Sequence, residues 1–226
     1  MNSSIVTKEQ REFRIKRILA YFALYLLVFV LLENRTITPY LLNSSLDAKI
    51  PFCPVFVIPY FLWFVYIPLS VAGSTLFCGD EQYEPFVRSL ILGNTLFLVI
   101  SFLFPNGHTL RPVLEGGGLC TQLVGFLYRI DTSTNILPSM HVFTSVVCCI
   151  ALCKTGLFQK HPAAGHAVRL LTVLIVLSTV LIKQHTLLDV VASLALNFFC
   201  YALFYEGQVL VTPNRKQKHR IFWYDE

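Results

Sequence analysis

Polar and apolar positions do not alternate along this chain; the apolar ones gather in long blocks and the polar ones collect between them. Six blocks stand out, roughly residues 17–32, 51–77, 85–104, 136–153, 168–182 and 185–211. A hydrocarbon core of about 30 Å takes about 20 apolar residues when crossed as a helix. Each block therefore predicts a transmembrane helix, some of them only just long enough. The last two nearly fuse across Lys183-Gln184-His185, so the boundary between them is the softest. The segment 33–50 reads as a short helix or loop on the membrane surface. No internal repeat breaks the pattern, and no linker is long enough to mark a second unit. The expectation is a single membrane domain over residues 1–226, all-α, with six transmembrane helices.

Composition agrees with the pattern. Hydrophobic residues make up 55 % of the 226 and charged residues 14 %, against about 25 % charged in soluble domains. So few charges cannot cover a surface facing water. Disorder, collagen, coiled coil and secreted disulfide scaffolds are excluded on the same grounds. The seven cysteines lie mostly in apolar runs, form no CxxC pair and are odd in number. They read as small hydrophobes rather than a disulfide framework or a zinc site. The first apolar stretch runs into Glu33-Asn34-Arg35 with no small-residue cleavage site, so it is expected to remain as a span.

The net charge of +5 comes from short basic clusters between apolar blocks, which points to membrane topology and not to nucleic acid. Thirteen of the eighteen Lys and Arg fall on one side of a six-span layout. They include Lys8, Arg11, Arg14, Lys16 and Arg17 near the start, Lys154, Lys160 and Arg169 in the middle, and Arg215, Lys216, Lys218 and Arg220 in the tail. By the positive-inside rule both termini are cytoplasmic. Segments 33–50, 105–135 and 183–189 then emerge together on the outer face. Tyr40, Tyr60, Trp63, Tyr66 and Tyr128 read as interfacial aromatic anchors.

Three motifs occupy outer ends of the predicted spans. Arg111-Pro112 closes a polar stretch from Pro105; Pro138-Ser139-Met140-His141 opens the fourth span; and Ser178-Thr179 is followed by His185 and Asp189. If helical, His185 and Asp189 share a face, and the carboxylate fixes the tautomer by accepting the Nδ1–H. That leaves Nε2 as a basic lone pair, fit for a nucleophile or a general base. A structural polar pair at a helix end is the alternative. Pro138 suits a first helical turn, and the free backbone N–H groups after it attract an anion. Arg111 carries a planar fork matched to phosphate, or is an ordinary loop cation. His108 helps to bind substrate or is a solvated loop residue. Glu115-Gly116-Gly117-Gly118 lacks the Gly-Lys-Ser/Thr ending of a nucleotide loop.

Taken in order, Arg-Pro, Pro-Ser-x-His, and Ser followed by His-x-x-x-Asp resemble the type 2 phosphatidic acid phosphatase superfamily. These are six-span lipid phosphatases, with relatives among vanadium haloperoxidases and sphingolipid phosphotransferases. The likeness covers roughly residues 104–189, and Pro-Ser-Met-His, with Met140 where the phosphatases commonly have glycine, looks closer to the branch resembling inositol phosphorylceramide synthases. The resemblance implies that His185 attacks phosphorus and becomes phosphohistidine, with Asp189 orienting and charge-balancing it. It implies that His141 protonates the leaving oxygen and then activates water. Arg111, Ser139 and the Met140 backbone would hold phosphate oxygens, with no metal and no cofactor.

Two family cations are missing: a lysine where Phe104 stands and an arginine where Thr179 stands. Lys183 and Arg129 are the candidate replacements. Lys183 faces away from His185 on a continuous helix and approaches it only if the chain breaks near 180–184. Arg129 either reaches the site or pairs with Asp131. The expected protein is thus a membrane lipid phosphatase, acting on a lipid phosphate monoester or diphosphate at the outer face of a plasma or cytoplasmic membrane. A phosphotransferase with an alcohol or lipid acceptor uses the same core. A non-catalytic lipid-binding or transport protein is the alternative from another class.

Overall fold

The computed structural model describes residues 6–35 and 39–206. The tail cations Arg215, Lys216, Lys218 and Arg220, and the end of the sixth apolar block, lie outside the described residues. Most of the described residues are helical. α1 spans Lys8–Glu33, α3 Val57–Phe77, α4 Asp80–Leu103, α6 Met140–Cys153, α8 Pro162–Leu181 and α9 Leu187–Tyr201, the last extended by a π-helical turn to Glu206. Five of these are long and apolar enough to cross a membrane; α6, with 14 residues, is shorter. This is an integral membrane architecture. The shorter elements are α2 (Ser45–Lys49), α5 (Leu119–Ile130) and α7 (Gly156–Lys160), with a two-residue parallel ladder pairing β1 (Tyr40–Leu41) to β2 (Asn106–Gly107).

Caps place the helix ends more than hydropathy does. α1 begins nine residues before the apolar block at 17, because Thr7 and Gln10 form a reciprocal capping box. α4 begins at Asp80, five residues ahead of Pro85, with Asp80 and Glu81 in its first turn. α6 begins at Met140 rather than Ile136, because Ser139 is its N-cap; Pro138 precedes the cap and is not in the first turn.

α6 packs against α3, α4, α8 and α9, so the shortest of the major helices occupies the centre of the bundle. Phe143, fully buried, sits on Gly93 of α4. A Cβ at Gly93 would lie 2.0 Å from the Phe143 ring. One end of the bundle is tied by Arg14 to Asp80 and by Arg17 to Glu84, with Arg14 also donating to the carbonyls of Thr75 and Cys78. At the other end, segment 104–139 folds over the helix termini. Asn106 organises it: its side-chain oxygen accepts the N–H groups of Ile136 (2.8 Å) and Leu137 (2.9 Å), and its carbonyl accepts that of Asn135 (2.7 Å).

Candidate active site

α8 ends at Leu181, and the chain turns sharply before α9 starts at Leu187. Lys183 takes a left-handed conformation (φ 57°), and the Thr179 carbonyl accepts the N–H groups of both Gln184 and His185. The break anticipated near 180–184 is therefore present. It does not bring the Lys183 amine to His185. The ammonium donates instead to the carbonyls of Asp47 (2.8 Å) and Ile50 (2.6 Å), closing the C-terminal end of α2. Burial pulls the Lys183 pKa down, and Asp47 partly opposes this.

His185 and Asp189 meet, although His185 lies outside the helix. Thr186 caps α9, and Thr186 with Asp189 forms a capping box. Asp189 Oδ2 accepts the Thr186 N–H at 2.8 Å and faces His185 Nδ1 at 3.3 Å. The pairing thus comes from cap geometry rather than from a shared helical face. Asp189 is completely buried and its Oδ1 has no partner among the described residues.

From α6, His141 presents Nδ1 to His185 Nε2 at 3.4 Å. Two histidines 44 residues apart in sequence thus meet where neighbouring helices begin. Ser139 and Asp189 stitch those helix starts together. The Ser139 N–H donates to the Asp189 carbonyl at 3.4 Å, and Ser193 Oγ donates to both the Ser139 and Asp189 carbonyls. The Ser139 hydroxyl is buried and accepts the Val142 N–H as a cap. The N–H groups of Met140 and His141 begin the helix with no intrahelical acceptor.

Tyr60 and Trp63 are not interfacial anchors. Their ring centroids both lie 4.4 Å from that of His141, and Tyr60 has no exposed surface. Tyr66 is also buried, bonded to the Ser145 carbonyl. Aromatic spacing on a span cannot distinguish lipid-facing from core-facing rings until the neighbouring helices are placed.

Arg111 is half-buried and fully engaged at its terminal nitrogens. It donates to the carbonyls of Tyr128 (3.0 Å) and Asp131 (2.5 Å) and to Gln184 Oε1 (2.5 Å), and its guanidinium stacks 4.3 Å from the Tyr128 ring. It braces the wall beside His185 through Gln184. Arg129 is exposed and makes no ion pair with Asp131 among the described residues. The Asp131 carboxylate instead accepts Tyr60 Oη (2.6 Å) and Gln184 Nε2 (2.9 Å). Phe104 stacks on Tyr40 at 4.8 Å. His108 is buried, contrary to a solvated loop residue, with Nε2 2.9 Å from the Gln184 carbonyl.

The structure therefore gathers His185, His141, Asp189, Ser139 and Met140 at one end of the bundle, with Arg111 one residue removed. Lys183 and Arg129 are directed elsewhere. Tyr60, Trp63, Asp131, Gln184 and His108 are participants that the motifs did not single out. Among the described residues no cluster of three His, Cys, Asp or Glu has the arrangement of a metal site. Comparison with protein-family models, characterised proteins and solved structures gives no match to this chain.

Proposed function

We propose that this protein is a membrane lipid phosphatase that works through phosphohistidine. The single observation behind this reading is the facing pair of histidines, one of them backed by a buried carboxylate. His185 Nε2 attacks phosphorus and forms an N–P bond while the P–O bond to the lipid breaks. Protonated His141 gives its proton to the leaving oxygen, which departs as a neutral alcohol. Neutral His141 next takes a proton from water as the water oxygen attacks phosphorus. The N–P bond breaks, inorganic phosphate leaves, and His185 and His141 return to their starting states. Asp189 balances the charge on His185 throughout, as a carboxylate does for a catalytic imidazole.

In-line displacement puts the phosphoryl group between nucleophile and acid. Nitrogens 3.4 Å apart leave no space for it, so the rings part on substrate entry. The free N–H groups at the start of α6 then face the phosphate oxygens, as helix N-termini commonly do. In this reading α6 is the fourth of six spans, both termini are cytoplasmic and the site opens outward. Fourteen residues rise about 21 Å, less than a hydrocarbon core of about 30 Å. The histidines therefore sit below the outer headgroups, at a depth suited to a membrane-held substrate.

Hydrolysis of phosphatidic acid and of p-nitrophenyl phosphate by purified protein in detergent tests this. His185→Ala removes the atom that accepts the phosphoryl group and abolishes both activities. His141→Ala lowers turnover of phosphatidic acid by about 10²–10⁴-fold, because an alkoxide needs its proton in the transition state. It lowers turnover of the activated ester far less. Near-normal turnover in His185→Ala would sink the proposal. Transfer of phosphate to an added alcohol at the expense of water would make the protein a transferase.

A further inference from the structure

The nucleophile has its carboxylate in direct contact. The acid has none, yet a second, partly buried carboxylate lies one hydroxyl away. Tyr60 Oη donates to Asp131 Oδ2 at 2.6 Å and stands 3.4 Å from His141 Nδ1, the same nitrogen that faces His185. Asp131 is held in turn from the opposite side. Gln184 Nε2 donates to its carboxylate at 2.9 Å, and Arg111 fixes both the Gln184 side chain and the Asp131 carbonyl at 2.5 Å.

Hydrogen counting gives this chain a direction. A phenol has one proton, and here it goes to the carboxylate. Tyr60 can then show His141 only lone pairs, so the hydrogen between them belongs to Nδ1. The geometry points to Tyr60 as a positioning residue for His141, holding the transferable proton on the nitrogen nearest the nucleophile, with Asp131 as its charged anchor. This rests on the proposed roles of the two histidines. The site then contains two carboxylate–histidine units of different strength. Asp189 touches His185 directly, Oδ2 facing Nδ1 at 3.3 Å. Asp131 acts on His141 through a neutral phenol, which orients the ring.

The stacked ring alone does not explain the hydroxyl. Tyr60 is fully buried in a cluster with Val57, Val124, Leu127 and Ile182, a setting that phenylalanine would fill equally well. A buried tyrosine hydroxyl needs partners, and its two partners are the carboxylate and the histidine.

Tyr60→Phe keeps the ring and removes the relay. The measurement is the ratio of turnover on phosphatidic acid to turnover on p-nitrophenyl phosphate, in full-length protein, for wild type, Tyr60→Phe, Asp131→Asn, His141→Ala and the Tyr60→Phe/His141→Ala double variant. The ratio is expected to fall at least tenfold in Tyr60→Phe and in Asp131→Asn, and the double variant to lose no more than His141→Ala alone. Residues acting as one unit show that non-additivity. Equal loss on both substrates, an unchanged ratio, or full additivity with His141→Ala overturns the inference. If Tyr60→Phe does not fold, the ratio in Asp131→Asn decides in the same way. Failure of the underlying phosphatase reading shows up separately, as activity that survives His185→Ala.

Discussion

At the residue scale, His108 is held neutral by both of its nitrogens. Nε2 donates to the Gln184 carbonyl at 2.9 Å, and Nδ1 accepts the Leu110 N–H at 3.0 Å. A second proton on the ring would have to displace the Leu110 N–H. Burial pushes the His108 pKa down to about 4, against the opposing effect of the bond to Gln184. An unfolded histidine takes its proton near pH 6.5. The unfolded chain therefore binds that proton first, and His108 costs stability progressively as pH falls from about 6.5 toward 4, with no cost above that window. Thermal midpoints in detergent for wild type and His108→Gln should separate across this range, the wild type falling more steeply toward acid. Parallel curves would show that His108 is not the group responsible. His108, Asn106 and Tyr60 share one reason for being hard to read from sequence. Each acts through bonds to residues 30 to 81 positions away, and no local spacing encodes such a partner. His185, Asp189 and His141 were legible because ionisable side chains at the ends of apolar blocks stand out against their surroundings.

At the element scale, apolar blocks located the long helices but not their ends. Hydropathy marks where lipid begins; Thr7, Gly79 and Ser139 mark where backbone N–H groups find partners or lose them. The turn between α8 and α9 shows the limit most clearly. The Lys183-Gln184-His185 run is too short to register as a loop against its apolar flanks, yet its left-handed residue and the cap at Thr186 reorient the chain and deliver His185 to His141. Helix pairing was not legible either, because it depends on fits such as Gly93 against Phe143. A Cβ there would approach the Phe143 ring to 2.0 Å in a fully buried setting. Gly93→Ala should therefore push α4 from α6 and cost about 1–3 kcal/mol, as overpacked cores do. Phe143→Leu in the same chain should recover part of the loss. Thermal melting of the two single variants and the double variant reads this directly; additive losses would mean that the contact does not set the helix spacing.

At the scale of the whole molecule, the two ends of the bundle differ in kind. One is tied by ion pairs between α1 and α4, with Arg14 buried at Asp80 and Arg17 joined to Glu84. The other carries the ladder of β1 with β2, the amphipathic α5 and both histidines. The cluster of cations at the first end fits the cytoplasmic face under the positive-inside rule. The exposed apolar residues of α5, Leu119, Phe126 and Ile130, share that helix with exposed Arg129 and suit an interface between headgroups and hydrocarbon. If α6 crosses the membrane, Glu115 and Gln159 are on opposite sides of it, since one precedes α6 and the other follows it. Single cysteines at these two positions, in a chain whose seven native cysteines are replaced, should react differently with a charged, impermeant maleimide on sealed cells or vesicles. Position 115 should label from the extracytoplasmic side, and position 159 only after permeabilisation. The 14 residues of α6 fall short of a full hydrocarbon thickness, so this pair also tests whether a short central helix can be a true span. Labelling of both positions from one side would make α6 re-entrant and would remove the outward-facing site; the reverse pattern would place the same histidines at the cytoplasmic face.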